Sequence, residues 1–293
     1  MGKSARAQNA RLVELRAQQA KAERRSKLMI AGATVGVVAI VVIALVIAAL
    51  QGGTDVTGQS STALDQATFA KVTSVPAASL DTVGAGASDN PPKTIDAPAL
   101  TKDGKPRVLY VGAEYCPYCA TERWPLVVAL SRFGTWNNLS ASFSAPAPEV
   151  NPNTATVSFH GATYPSQYVS FTGYETSTNK QTNGQWGKLD TLEGEDLALF
   201  QKFNAPPYVQ SSGAIPWINL GGTSIQAGAS YNSAVILNKT QAEIATALAD
   251  PTTDIAKGVN GAANVLTAQI CKSTNQQPTA VCTAPGVVAA AAK

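Results

Sequence analysis

The sequence has a single histidine, His160, only two methionines, and few charges, 14% of its 293 residues. One histidine rules out a His-rich metal site and leaves a hydrolytic triad one candidate base. That base stands in an alternating apolar run far from the cysteines in sequence, where a structural or surface role suits it. No internal repeat is evident.

Charge is also missing in one long block. From Leu28 to Leu50 the chain carries no charge and no proline, and 23 helical residues at 1.5 Å each reach about 34 Å, enough for a hydrocarbon core of roughly 30 Å. A cleaved signal peptide has a shorter apolar region and a small-x-small exit, whereas this run ends Ile47-Ala48-Ala49-Leu50. The reading is therefore an uncleaved transmembrane helix over 28–50.

The cations lie on one side of it. Residues 1–27 hold eight Lys/Arg against Glu14 and Glu23, which keeps that basic segment cytoplasmic and sends 51–293 outward across a cell membrane. Position beside the span explains the basic residues through topology and attraction to anionic lipid, so no nucleic-acid partner is expected. Gly32 and Gly36 place two small residues on one helix face, the pattern of an anchor dimer.

Residues 51–65 (QGGTDVTGQSST and onward) are rich in Gly, Ser and Thr and read as a flexible tether. A folded domain is expected over 66–270, followed by a C-terminal segment, 271–293, whose GVVAAAAK end should fray.

Within the domain, Arg107 to Gly112 is a short β-prone apolar run, consistent with a buried central strand. Glu114-Tyr115-Cys116-Pro117-Tyr118-Cys119 follows, then a helical pattern with Leu126, Leu130 and Phe133 inward and Gly134 as its stop. Pro125 removes a helical donor and should kink this helix, setting the carbonyl of Thr121 free. Residues 136–190 read as a β-rich insertion, and 193–203 as a short helix with Leu197, Phe200 and Phe203 inward. Ile215 to Leu220 and part of 223–237 read as strands. Thr240 and Glu243 have capping-box spacing ahead of a helix over about 241–250, and another helix should follow Pro251.

A Cys-x-x-Cys at a helix start suits thiol exchange. The first cysteine faces free N–H groups that stabilise its thiolate, and the second is near enough to resolve a mixed disulfide. Cys116 is thus the expected nucleophile and Cys119 the resolving thiol, with Pro117 suited to the first turn. Two other readings stay open. The pair is half a zinc site if Cys271 and Cys282 complete it, although their ten-residue gap is not the usual second short pair. It is a permanent structural disulfide if the compartment simply oxidises it. Cys271 and Cys282 themselves read as a structural disulfide stapling the C-terminal segment. Glu114 and Arg123 are candidates to tune the thiolate, with surface solvation the commoner role. Trp124, Trp136, Trp186 and Trp217 suit core or groove positions.

The stretch VLYVGAEYCPYCATERWPLVVALSRFG resembles the strand, Cys-x-x-Cys and kinked-helix pattern of the thioredoxin-like superfamily. More narrowly, the E-Y-C-P-Y-C stretch, R-F-G-T-W and the later I-P-W-I are similar to domain of unknown function 929, an uncharacterised prokaryotic family of membrane-anchored thioredoxin-like proteins. The resemblance covers about 70–260. It implies an α/β thioredoxin-like fold, with an insertion between the catalytic helix and a strand opened by a cis proline, Pro216. It also implies a substrate groove from Tyr115, Pro117, Tyr118, Ile215 and Pro216. The activity expected is thiol–disulfide exchange with protein thiols or disulfides, with no bound cofactor and no metal. The alternative is a binding or scaffold domain whose disulfide stays closed.

Overall fold

Val108 to Val111 alternate strictly between two cores. Val108 and Tyr110 join one hydrophobic cluster with Trp124, Leu130, Ile218 and Leu266, while Leu109 and Val111 join a second with Phe203, Trp217 and Ile225. Such a run is buried on both faces, and only a central strand meets that condition.

The structure is a computed structural model and describes residues 55–293. The basic segment, the expected span over 28–50 and the Gly32/Gly36 pair lie outside the described residues. Among the described residues no helix is long and apolar enough to cross a membrane.

The protein is mixed α/β. The described chain begins with strand β1 (Thr62–Ala63) and helices α1 (Gln66–Thr73) and α2 (Ala77–Val83), then short strands β2 (Lys93–Thr94) and β3 (Thr101–Lys102). The central strand β4 (Lys105–Gly112) leads into helix α3 (Pro117–Leu130). After it come β5 (Ser140–Phe143), β6 (Ala155–Ser158), β7 (Ser170–Glu175), β8 (Ser177–Thr182) and β9 (Gln185–Lys188). Helix α4 (Gly194–Phe203), strands β10 (Trp217–Leu220) and β11 (Ser224–Ala227), and helices α5 (Gln241–Ala247), α6 (Asp254–Ser273), α7 (Thr279–Cys282) and α8 (Pro285–Ala290) complete it.

The main sheet runs β2-β11-β10-β4-β3, with β7 also paired to β4. β10 is antiparallel to β4, Trp217 facing Val111, whereas β7 is parallel to it from Arg107↔Ser170 to Gly112↔Glu175. Helices α3 and α6 cover one face and α4 the other. A second sheet, β1-β5-β6, packs beside α3, and β8-β9 form a hairpin of their own.

Several expectations change here. The stretch 136–190 is not wholly an insertion, because β7 lies inside it and belongs to the main sheet. Its alternating start at Tyr168 to Phe171 marks a strand, but not that strand's partner, which is some 60 residues away in sequence. Leu199, Phe200 and Phe203, rather than Leu197, turn α4 onto the core. The C-terminal end does not fray: Gly286, Val287 and Ala290 of α8 are buried. The tether narrows too. Val56 exchanges both backbone hydrogen bonds with Gln181, the Asn179 amide donates to the Gln59 carbonyl at 2.9 Å, and Asp55 accepts from the Asn183 amide. Gly58 lies so close to Asn179 that no side chain fits there.

Other expectations stand in detail. Thr240 and Glu243 form the reciprocal capping box at α5. Cys271 and Cys282 are joined by a disulfide with Cα atoms 5.6 Å apart. His160 is exposed on the surface, 2.7 Å from Asp190. Trp124, Trp136 and Trp217 are core residues, and Trp186 is half-buried.

Candidate active site at the Cys116 turn

β4 ends at Gly112, and the chain turns through Ala113, Glu114 and Tyr115 before α3 begins at Pro117. Cys116 is therefore the residue that caps the helix. Its backbone is extended (φ −75°, ψ 121°) and its sulfur accepts a hydrogen bond from the Cys119 amide at 3.2 Å. This is the position of an N-cap oxygen, filled by sulfur, and negative charge on that atom is favoured by the exposed N–H groups of the first turn. Pro117 takes the first helical position, where no donor is lost.

Cys116 and Cys119 are both free thiols in the structure. Cys116 is 5% exposed and Cys119 not at all, so the first alone touches solvent. Burial works against a thiolate at Cys116. Hydrogen bonds from the Cys119 thiol and amide, the Arg123 charge and the Tyr118 amide outweigh it and hold Cys116 below the ordinary thiol range. Burial, with the neighbouring Cys116 sulfur, pushes the Cys119 thiol well up. The two sulfurs thus differ in the sense that attack by Cys116 and resolution by Cys119 require.

Ile215 faces the pair. The Cys116 thiol donates to its carbonyl at 3.7 Å, and the Ile215–Pro216 peptide is cis. Pro216 is held by its carbonyl accepting from the Gly228 amide and by β10, which Pro216 opens. Beneath the dithiol lies a fully buried ion pair. Arg123 donates from Nε to Glu175 Oε1 at 2.8 Å, from Nη2 to Oε2 at 2.6 Å, and from Nη2 to the Ala113 carbonyl at 2.8 Å. Burial raises Glu175, and Arg123 offsets part of that. The neighbouring Tyr110 hydroxyl is buried without a partner among the described residues, and burial raises it strongly.

Around the mouth stand three aromatic side chains. Tyr118 is 44% exposed, and Tyr115 stacks on Trp186 of β9 with centroids 4.4 Å apart and planes 8° from parallel. A polar hollow lined by Asn90, Tyr118, Asn151, Gly228, Tyr231 and Ser233 opens beside Tyr118. It shares Asn90 and Gly228 with a second hollow that reaches Ala214, next to Ile215.

The structure thus brings together Tyr115, Cys116, Pro117, Tyr118, Cys119, Ile215 and Pro216. Cys271 and Cys282 are engaged with each other in the C-terminal segment, and the four cysteines form no single cluster. Among the described residues no group of three or more metal-ligating side chains is close enough to hold an ion. Arg123 tunes both thiols from the buried interior, not from the surface. Glu114, 6% exposed, accepts from Ser61 at 2.9 Å and hydrogen-bonds to neither sulfur.

Two buried acids escaped sequence reasoning. Glu175 ends a strand with no apolar alternation around it. Glu122 sits on α3 and accepts from the Ser230 amide and hydroxyl, each at 2.7 Å, and burial pushes it up to about 8. The available signal was the helix itself: a charged pair followed by WPLVVAL, apolar all round, has no solvent face to place a charge on.

Residues 92–191 match the model of a family described as Domain of unknown function (DUF929). The match takes in β2 to β9, and with them both cysteines and Glu175, and stops short of Pro216. No curated protein and no solved structure matches the chain.

Proposed function

We propose that this chain is a membrane-anchored thiol–disulfide oxidoreductase of the domain of unknown function 929 kind, with a thioredoxin-like domain outside the cytoplasm. The observation that carries the reading is Cys116 itself, a free thiol capping a helix, its anion favoured, with Cys119 at hydrogen-bond distance and the Ile215 carbonyl across from it. The dithiol at a strand-to-helix junction, with Pro216 opening the adjacent strand, supports the thioredoxin-like assignment.

In the reducing direction, the Cys116 thiolate attacks one sulfur of a partner disulfide. A Cys116–partner bond forms, the partner bond breaks, and the departing partner thiolate takes up a proton. Cys119 then loses its proton and attacks Cys116 sulfur, releasing the second partner thiol. The partner gains two electrons and two protons, and the chain is left with a Cys116–Cys119 disulfide. The oxidising direction runs the same steps backwards, and the compartment's redox poise sets which prevails.

Burial of both sulfurs favours a second reading, a scaffold domain whose pair never exchanges. Equilibrating the full-length protein in graded glutathione buffers and trapping free thiols separates the two. A reversible Cys116/Cys119 transition, with mixed disulfides on Cys116 accumulating in Cys119→Ser, is the oxidoreductase result. A pair that never exchanges would leave the scaffold. Labelling of the dithiol in intact, reduced cells by an externally added thiol reagent tests the outward orientation, and labelling only after lysis would refute it.

A further inference from the structure

The β8–β9 hairpin, residues 177–188, reads STNKQTNGQWGK, and Trp186 is its only apolar side chain. A lone two-stranded hairpin is marginal in water, and this one joins neither larger sheet. It is held by polar and backbone contacts: Ser177 accepts from the Glu114 amide, Asn179 donates to the carbonyls of Gln59 and Phe143, and Gln181 pairs with Val56. Its tip turns through Asn183 and Gly184, both at positive φ, the conformation of a tight two-residue hairpin turn.

A hairpin fastened by polar contacts does not need a tryptophan for cohesion. The ring lies over Tyr115, the residue that immediately precedes the nucleophile, and both rings remain partly open to solvent. Tyr118, two residues after Cys116, is exposed as well, so the residues on both sides of the nucleophile in sequence offer aromatic surface to a polypeptide presenting its sulfur. We propose that the hairpin is a substrate-recognition arm, and that Trp186 with Tyr115 selects partner polypeptides in which an apolar side chain adjoins the reacting cysteine.

This rests on the exchange activity proposed above. Full-length reduced protein in mild detergent is mixed with two synthetic peptides, each closed by one internal disulfide and differing only in Leu or Ser before the attacked cysteine. Each rate is divided by that measured with bis(2-hydroxyethyl) disulfide, which has no flanking residue. The wild type should favour the Leu peptide roughly 3- to 10-fold, as a contact of aromatic size implies. Trp186→Ala should bring the ratio near one, and Trp186→Phe should keep most of it. If Trp186→Ala does not fold, Trp186→Thr, which keeps a strand-forming side chain, takes its place. A wild-type ratio of one, or an unchanged ratio in the alanine or threonine variant, overturns the arm. Failure of the wild type to react with any of the three probes instead overturns the exchange reading, and the arm with it.

Discussion

The hydroxyl of Tyr231 donates to the carbonyl of Thr121 at 3.2 Å, the group that Pro125 leaves without its helical donor. An external side chain has replaced the missing backbone N–H inside a helix that is buried from Cys119 to Leu130. Tyr231→Phe keeps the ring and removes the donor, so a buried carbonyl is left unpaired. The cost should be about 1–3 kcal/mol, read as a lower urea midpoint with an unchanged slope.

Glu122 sets a pH dependence. Its folded value of about 8 lies above the ordinary 4.5, because burial disfavours the carboxylate. The folded state therefore binds the proton more tightly than the unfolded state, and its stabilising effect is complete below pH 4.5 and lost as pH rises towards 8. The span is on the order of 5 kcal/mol at most, at about 1.4 kcal/mol per pH unit. Glu122→Gln keeps one acceptor oxygen for the Ser230 amide, turns its NH2 towards the Ser230 hydroxyl as a donor, and removes the titration. Unfolding at a series of pH values should show the wild type losing stability between pH 5 and 8 and the variant losing much less.

The Arg123–Glu175 pair lies where its loss is felt at the sulfurs. Removing one partner leaves the other buried and uncompensated, at a cost of about 3–5 kcal/mol, while Arg123→Met with Glu175→Leu should cost considerably less. Arg123 favours the Cys116 thiolate, so the double variant should alkylate at Cys116 with its pH profile moved upward. An unmoved profile would show the pair to be structural only.

The Cys271–Cys282 disulfide spans a sequence separation of 11. In the chain-entropy model, replacing both cysteines with alanine should cost about 2–3 kcal/mol. Chemical denaturation gives the loss directly, and the redox transition of Cys116 and Cys119 should stay where it was.

Local signals were legible and distant ones were not. The strand from Arg107, the dithiol turn and the helix after it follow from apolar spacing within 30 residues, although the helix ends at Leu130, four residues before the expected stop at Gly134. The capping box at Thr240 and Glu243 needs only four. Tyr168 to Phe171 alternates as a strand does, but the place of β7 beside β4 was hidden, because a parallel partner is chosen by the whole fold and Thr172-Gly173 has little apolar content to announce a buried neighbour. Ile215 and Pro216 were placed by resemblance, since nothing in their own spacing marks a site 99 residues from Cys116. Glu175 and Glu122 went unseen because polarity suggests surface, and only three-dimensional pairing makes their burial tolerable.

Residues 55–63 bear on where the folding unit begins. Composition marks them as dispensable, yet they form an edge against Gln181, a seat for Asn179 at Gly58, and a strand beside β5. A shortened protein starting at Leu64 would be trimmed inside its own architecture and would lose the contacts of Gln181 with Val56 and of Asn179 with Gln59, two of those that hold the hairpin carrying Trp186. The described contacts begin at Asp55, eleven residues earlier than a reading of sequence texture would start the folded domain.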